Sequence, residues 1–317
     1  IGNVSVWLDD KVLVKNFKIN KKEFEYEIPI DTATITDGKH TLKVEVENST
    51  FSKNKSLVVR DFYVDNVPLQ AAFVKPASEY KILQGRTFHL QFQVNKPIKN
   101  ATVQIASNSY SCFAESQGSN IYEAYIPIKA EEKPNEYPLS VEIIDQVGTK
   151  FTLEGKFQVT GAAFKKQSLH IDPKKVKSEK EQGRKQSELD QELAVLFTKS
   201  PKKKLWQGTF YTPIEYTSVA TEFGVQRITP EKGCYAHNAI DLLAIPRSVI
   251  WAPQDGIVII KDRYDESGNT VVIDHGLGIF TLLFHLEEFS DINVGDKLKR
   301  GNPVGKMGKT GYASGYH

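Results

Sequence analysis

The first half of this chain is marked by apolar residues that recur at every second position. Val4, Val6 and Leu8 alternate with other residues, as do Leu42, Val44 and Val46 in Thr41-Leu42-Lys43-Val44-Glu45-Val46. A period of two puts alternate side chains on one face of an extended strand, so these stretches read as half-buried strands. Turn signals separate them: Asp9-Asp10, Asp37-Gly38, Asn95-Lys96-Pro97, Gly118-Ser119-Asn120 and Pro134-Asn135. A weak repeat runs through the region. Leu42-Lys43-Val44-Glu45-Val46 is echoed by Leu139-Ser140-Val141-Glu142-Ile143, and each is followed by a further strand, Phe62-Tyr63-Val64 or Phe157-Gln158-Val159.

Short strands at this spacing predict two consecutive β-sandwich modules of immunoglobulin-like type, residues 1–67 and 68–160. The boundary is placed at Asn66-Val67-Pro68, where proline ends a strand. No Cys…Trp…Cys spacing marks a true immunoglobulin domain. The chain of 317 residues, 40% hydrophobic and 25% charged, has globular composition, which argues against a disordered or collagen-like protein. A net charge of +2 is too balanced for a nucleic-acid binder. No apolar run reaches the roughly 18 residues of a membrane span. Cys112 and Cys234 stand far apart and are expected to be free, buried thiols. The chain opens on Ile1 and holds only Met307, so trimmed ends are expected.

Residues 161–206 differ in composition and read as a basic helical linker. From Lys165 to Lys204 there are twelve Lys or Arg and six Asp or Glu, a local +6. Ser187 is expected to cap a helix whose Leu189, Leu193, Leu196 and Phe197 share one face and lie on a neighbouring domain. The remaining charge is a solvated face, with anionic wall polymer or membrane surface as a possible contact.

From residue 207 the pattern returns to strands, now richer in glycine. Val249–Ile260, Thr270–Asp274 and Ile279–Leu286 are predicted strands, followed by Val304-Gly305-Lys306-Met307-Gly308. Of seven histidines, His237, His275, His285 and His317 fall in the last 81 residues, whereas His40, His89 and His170 stand singly and read as surface or packing residues. His237-Asn238-Ala239-Ile240-Asp241 spaces an imidazole and a carboxylate so that a strand would put both on one face. Both groups suit Zn²⁺. A surface hydrogen-bonded pair is the alternative.

The context of this pair is an ordered series. Glu222-Phe223-Gly224 and Arg227 precede it. Trp251-Ala252-Pro253-Gln254-Asp255-Gly256, Gly268-Asn269-Thr270-Val271-Val272-Ile273-Asp274-His275-Gly276 and Leu283-Phe284-His285-Leu286 follow, then Val294-Gly295-Asp296, Gly305-Lys306-Met307-Gly308 and Ala313-Ser314-Gly315-Tyr316-His317. This series resembles the lysostaphin/LytM-type zinc metalloendopeptidases that cut peptidoglycan peptides. The resemblance covers roughly residues 208–317. It implies a C-terminal all-β peptidase domain, incomplete at residues 207–317, and a mainly β protein overall.

The resemblance implies site roles residue by residue. His237 and Asp241 match the first two zinc ligands, and His285 and His317 match catalytic histidines. The third ligand is expected two residues beyond His317, outside this chain. The implied activity is zinc-dependent hydrolysis of peptide cross-links in bacterial peptidoglycan, with peptidoglycan peptides as partner, no nucleic acid, and an extracytoplasmic location. A catalytically silent scaffold that regulates another wall hydrolase is the alternative, and an adhesion or glycan-binding role for the sandwiches is another. Leu283 stands where the family often has Tyr, and Asn238 or Ala239 stands where it usually has Gly. His275 is expected to be structural. Gly308-Lys309-Thr310 lacks the strand–loop–helix context of a phosphate loop, and its glycines are expected at tight turns.

Overall fold

The computed structural model describes residues 2–21, 23–48, 54–76, 79–168, 171–229 and 233–317. The chain is mainly β and divides into two units, one of residues 1–82, 87–127 and 134–160, the other of residues 83–86, 128–133 and 161–317.

In the first unit, the alternating stretches at the N-terminus form one antiparallel sheet. Its order is Lys11–Ile19, Gly2–Leu8, Gly38–Asn48, Lys55–Val64, with Val6 opposite Val44 and Leu8 opposite Leu42. The remaining strands build a two-sheet sandwich. Ala71–Phe73, Thr87–Val94, Ile121–Pro127 and Phe113–Ala114 form one sheet; Lys81–Leu83, Lys150–Thr160, Asn135–Asp145, Ile98–Ile105 and Asn108–Ser111 form the other. Alternation decides what fills it: Phe88, Leu90, Phe92, Val103, Val141, Ile143, Phe157 and Val159 are all buried. Phe88 of one sheet stacks on Phe157 of the other, ring centroids 4.7 Å apart. The repeated segments 42–46 and 139–143 both lie in long strands, and both following segments pair with them. His40 packs here, its ring nitrogens 2.8 Å from Asp9 and 2.7 Å from the Thr36 carbonyl. His89 sits at the surface beside Glu123, and His170 lies outside the described residues.

The second unit is organised around a four-stranded antiparallel sheet ordered Phe280–Leu286, Gly268–Asp274, Gly256–Tyr264, Lys297–Leu298. Its central strand is buried on both faces. Val271 and Ile273 join Val258, Leu286, Val304 and Met307 in one core, while Val272 faces Ile260, Tyr264 and Leu189 in another. Leu189 belongs to the linker. There α1 (Pro173–Gln182) and α2 (Gln186–Lys199) follow a strand, Lys166–Ser168, that pairs in parallel with Gln226–Thr229. The amphipathic face of α2 thus covers the sheet as its spacing predicts, with Leu193 and Leu196 packed beside Leu189. Phe197 sits at the rim of this contact, 58% exposed, with its ring edge-on to Phe280 of the sheet at 6.5 Å between centroids.

Other expectations need correction. Ser187 does not cap α2, because the helix starts one residue earlier; the Gln186 amide donates instead to the Asp265 carboxylate at 2.8 Å. An anion at these unpaired amides meets the same need as a cap. The predicted strand Val249–Ile260 is two strands, Val249–Trp251 and Gly256–Tyr264, split where Pro253 removes a ladder donor. Cys112 and Cys234 are both free, but neither is the buried thiol expected: Cys112 is half-buried and Cys234 is exposed. No helix among the described residues is long and apolar enough to cross a membrane.

His275 is the buried histidine at the end of the central strand. Its Nδ1 is 2.7 Å from the Asp255 carbonyl and its Nε2 2.8 Å from the Thr281 hydroxyl. Neutral imidazole satisfies both, donating to the carbonyl and accepting from the hydroxyl. Burial pushes its pKa down, despite the carbonyl contact. The folded state therefore binds this proton less readily than the unfolded chain, and stability drops as pH falls below the ordinary imidazole value of about 6.5. His275→Ala is expected to cost about 2–4 kcal/mol at neutral pH, since a fully buried ring is lost and the half-buried Asp255 carbonyl and Thr281 hydroxyl lose their bonds. Thermal melts across pH 5–8 check both points, because the variant should show the flatter pH dependence.

Candidate active site

The site grows from a turn rather than a strand. His237 follows the strand Gly233–Ala236 and is fixed by backbone bonds on both sides: its amide donates to the Val225 carbonyl and its carbonyl accepts from the Gly224 amide, each at 2.8 Å. The chain then turns through residues 238–240, and Asp241 opens the strand Asp241–Leu243, paired with Ser218–Thr221. The expectation that His237 and Asp241 share a strand face is therefore wrong in its reason. The turn brings them together instead, with Nε2 of His237 3.1 Å from Oδ1 of Asp241. Nδ1 of His237 points back to the Glu222 carbonyl at 3.4 Å, which leaves Nε2 aimed at the carboxylate.

Asp241 is enclosed, with its side chain 14% exposed. Its second oxygen receives Nη2 of Arg227, which arrives on the neighbouring strand Gln226–Thr229. Burial works to raise the Asp241 pKa. The hydrogen bond and charge of His237, with the charges of His317 and Arg227, outweigh it and hold the carboxyl well below the usual range.

His285 enters from the sheet strand Phe280–Leu286 with φ of +59°, a left-handed conformation that non-glycine residues seldom adopt. The backbone turns its ring toward the segment 308–317. There the Thr310 carbonyl lies 2.7 Å from Nδ1 and accepts the hydrogen bond of its N–H. That bond fixes the tautomer and leaves Nε2 free as an acceptor. Desolvation, with the nearby His317, pushes the His285 pKa down to about 4. Gly308 is required at this approach, because a Cβ there would stand 2.2 Å from the Glu287 nitrogen and 2.5 Å from the His285 carbonyl oxygen.

His317 closes the group. Its ring centroid is 4.6 Å from that of His285, and its Nε2 is 3.9 Å from Oδ1 of Asp241. Its amide donates to the Gly308 carbonyl at 3.1 Å, so the segment between them forms a closed loop. The structure thus brings His237, Asp241, His285 and His317 together and keeps His275 apart.

Among the described residues no three His, Cys, Asp or Glu side chains make a metal cluster. The pair that does converge, imidazole nitrogen beside carboxylate oxygen, has the donor chemistry that Zn²⁺ takes. Two further residues, Arg227 and Thr310, contribute to the site. The pairing of Arg227 with Asp241 depends on a hairpin that places strand Gln226–Thr229 beside the turn. Thr310, inside the rejected phosphate-loop motif, serves the site twice. Its carbonyl orients His285, and its hydroxyl donates to the Leu286 carbonyl and accepts from the Asn269 amide, each at 2.9 Å.

Residues 235–317 match the model of peptidase family M23, the span that holds all four site residues. The peptidoglycan DD-endopeptidase ShyC of Vibrio cholerae is 32% identical over 108 residues, 33% of this chain and 24% of that protein. The DD-carboxypeptidase/endopeptidase Mpg of Neisseria meningitidis serogroup B is 31% identical over 105 residues, again 33% of this chain and 24% of the relative. The chain thus matches about a quarter of the length of these curated relatives. A crystal structure from Pseudomonas aeruginosa assigned to peptidase M23 superposes with a TM-score of 0.51 at 23% identity, covering 74% of this chain and 86% of the other, a likeness of fold.

Proposed function

We propose, from the premise that residues 235–317 are a peptidase family M23 domain, that the protein is a zinc-dependent endopeptidase hydrolysing peptide cross-links of bacterial peptidoglycan. The observation that carries this reading is the convergence of His237, Asp241, His285 and His317 from separate elements onto one spot. The DD-endopeptidase relatives support the substrate class.

His237 and Asp241 would hold the metal, and Arg227 would keep Asp241 aimed and its charge intact. Bound zinc would polarise the scissile carbonyl and make the attacking water more acidic. His285 stays neutral at physiological pH, and its free Nε2 takes the water proton. His317, its Nε2 3.9 Å from Oδ1 of Asp241, is placed to stabilise the developing oxyanion or to pass a proton to the leaving amine.

Such a substrate lies outside the cytoplasm, so the protein is proposed to act in the periplasm, the cell envelope or the medium. Residues 1–67 and 68–160 are proposed as separate accessory modules, and the +6 stretch of residues 165–204 as a contact for anionic wall polymer. The full-length protein is expected to carry about one zinc per chain. It should release peptides from purified sacculi, stop with a chelator, and recover with Zn²⁺. A protein that binds sacculi but holds no metal and releases nothing would establish the silent-scaffold alternative instead.

A further inference from the structure

We infer that Lys175 of linker helix α1 is a positioning residue for the active site, so that the linker completes the peptidase rather than merely tethering it. This rests on the peptidase reading above. The loop 308–317 carries both His317 and the carbonyl that orients His285. Lys175 reaches into it from outside the matched span: its ammonium donates to the Lys309 carbonyl at 2.8 Å and to the Ala313 carbonyl. These two carbonyls bracket Thr310. One cation thereby ties both limbs of the loop that presents the Thr310 oxygen to His285 Nδ1.

The helix is built to hold Lys175 in place. Asp172 caps its start by accepting from the Lys174 amide at 2.9 Å. One turn after Lys175, on the same helix face, Glu179 is buried and accepts from Arg263 Nη2 at 2.7 Å. The helix ends at Gly183, where a Cβ would stand 2.5 Å from the Tyr264 carbonyl carbon, so the chain lies directly against the sheet. Arg184 then locks this end, its amide donating to the Arg263 carbonyl at 2.9 Å and its carbonyl accepting from the Asp265 amide at 2.7 Å. A lysine on an otherwise basic, solvated linker has no physical reason to give up water for two carbonyls. Here it does so, and desolvation lowers its pKa. The cost is offset when loss of the cation would leave two carbonyls of a catalytic loop without their donor.

The pocket beside this contact, about 530 Å³, is lined by Asp172, Lys175, Glu287, Thr310 and Ser314, so α1 and the loop 308–317 share its walls. Small displacements at such a point affect rate more than affinity, because the reacting atoms must sit within a fraction of an ångström of the productive geometry.

The test uses the full chain labelled with ¹⁵N-histidine, as wild type, Lys175→Met and Lys175→Arg. Methionine keeps the apolar stem without the donor; arginine restores donors that can reach both carbonyls. In wild type and Lys175→Arg the His285 Nδ1 proton should be protected from exchange, and in Lys175→Met that protection should be lost while the melting temperature holds. Sacculus digestion should show kcat reduced about 10- to 100-fold in Lys175→Met with KM little changed, and largely recovered in Lys175→Arg. Equal protection of the His285 proton in Lys175→Met overturns the inference, as does a kcat loss that arginine leaves unrescued. If wild type itself digests nothing, the peptidase reading fails, and the exchange measurement still decides the role of Lys175.

Discussion

Asp241→Ala is expected to lose zinc and, with it, peptide release by at least about 10³-fold, since several kcal/mol of charge stabilisation in the transition state goes with the metal. It should also destabilise the protein. Arg227 is enclosed, with 15% of its side chain exposed, and donates to the carboxylate that the substitution removes. An enclosed guanidinium left without its partner costs roughly 3–5 kcal/mol. Asp241→Asn separates the two losses. The amide oxygen can still accept from Arg227, so most of the stability should remain while metal affinity and peptide release collapse. Zinc content and urea unfolding of both variants give the comparison. Equal unfolding free energies for wild type and Asp241→Ala would show that the Arg227 contact carries no stability.

Replacing His285 should be almost as damaging to rate and far less damaging to the fold. Loss of a proton acceptor at this position is expected to lower kcat about 10²- to 10⁴-fold. The backbone adds a second, opposite effect. A φ of +59° is a conformation in which a side chain costs about 1–2 kcal/mol and glycine does not. His285→Gly is therefore expected to be about 1 kcal/mol more stable than His285→Ala while equally inactive. Strain at this residue is maintained by what surrounds it: the amide donates to the Ser267 carbonyl at 2.8 Å, and the ring is held by Thr310. Thermal melts of the two variants, with zinc held constant, measure the difference. A less stable glycine variant would mean that the left-handed backbone is not under strain.

How far the sequence exposes this site depends on the kind of contact. The alternation of Leu42, Val44 and Val46 survives as strand pairing with Val4, Val6 and Leu8 because the period of two puts them on one sheet face, where Val6 and Leu8 are buried and Val46 is 40% exposed. The heptad-like spacing from Leu189 is legible for the same reason, since Leu189 fills the second face of the sheet. The site histidines are legible only as an ordered series of motifs. Spacing alone misleads at His237 and Asp241, where the structure has a turn and not a strand. No local pattern points to Arg227 or Lys175. Their partners lie fourteen residues away and more than one hundred thirty residues away, and such contacts follow from how elements dock rather than from any local pattern. A phosphate-loop-like Gly308-Lys309-Thr310 is the converse case. The string suggests one chemistry, and its atoms serve another, with Gly308 admitting the His285 backbone and Thr310 holding the His285 ring.

The central strand Gly268–Asp274, apolar on both sides, has a consequence for how such proteins can be shuffled. A sheet with one wet face can be excised at its first strand and joined to new neighbours. This one cannot, because Val272, Ile260 and Tyr264 would meet solvent once α2 was removed. Any recombination that swaps the upstream modules must therefore cut before the strand Lys166–Ser168, near residue 160, and carry that strand and both helices along with residues 207–317. The unit that natural selection can move is longer than the unit its motifs outline.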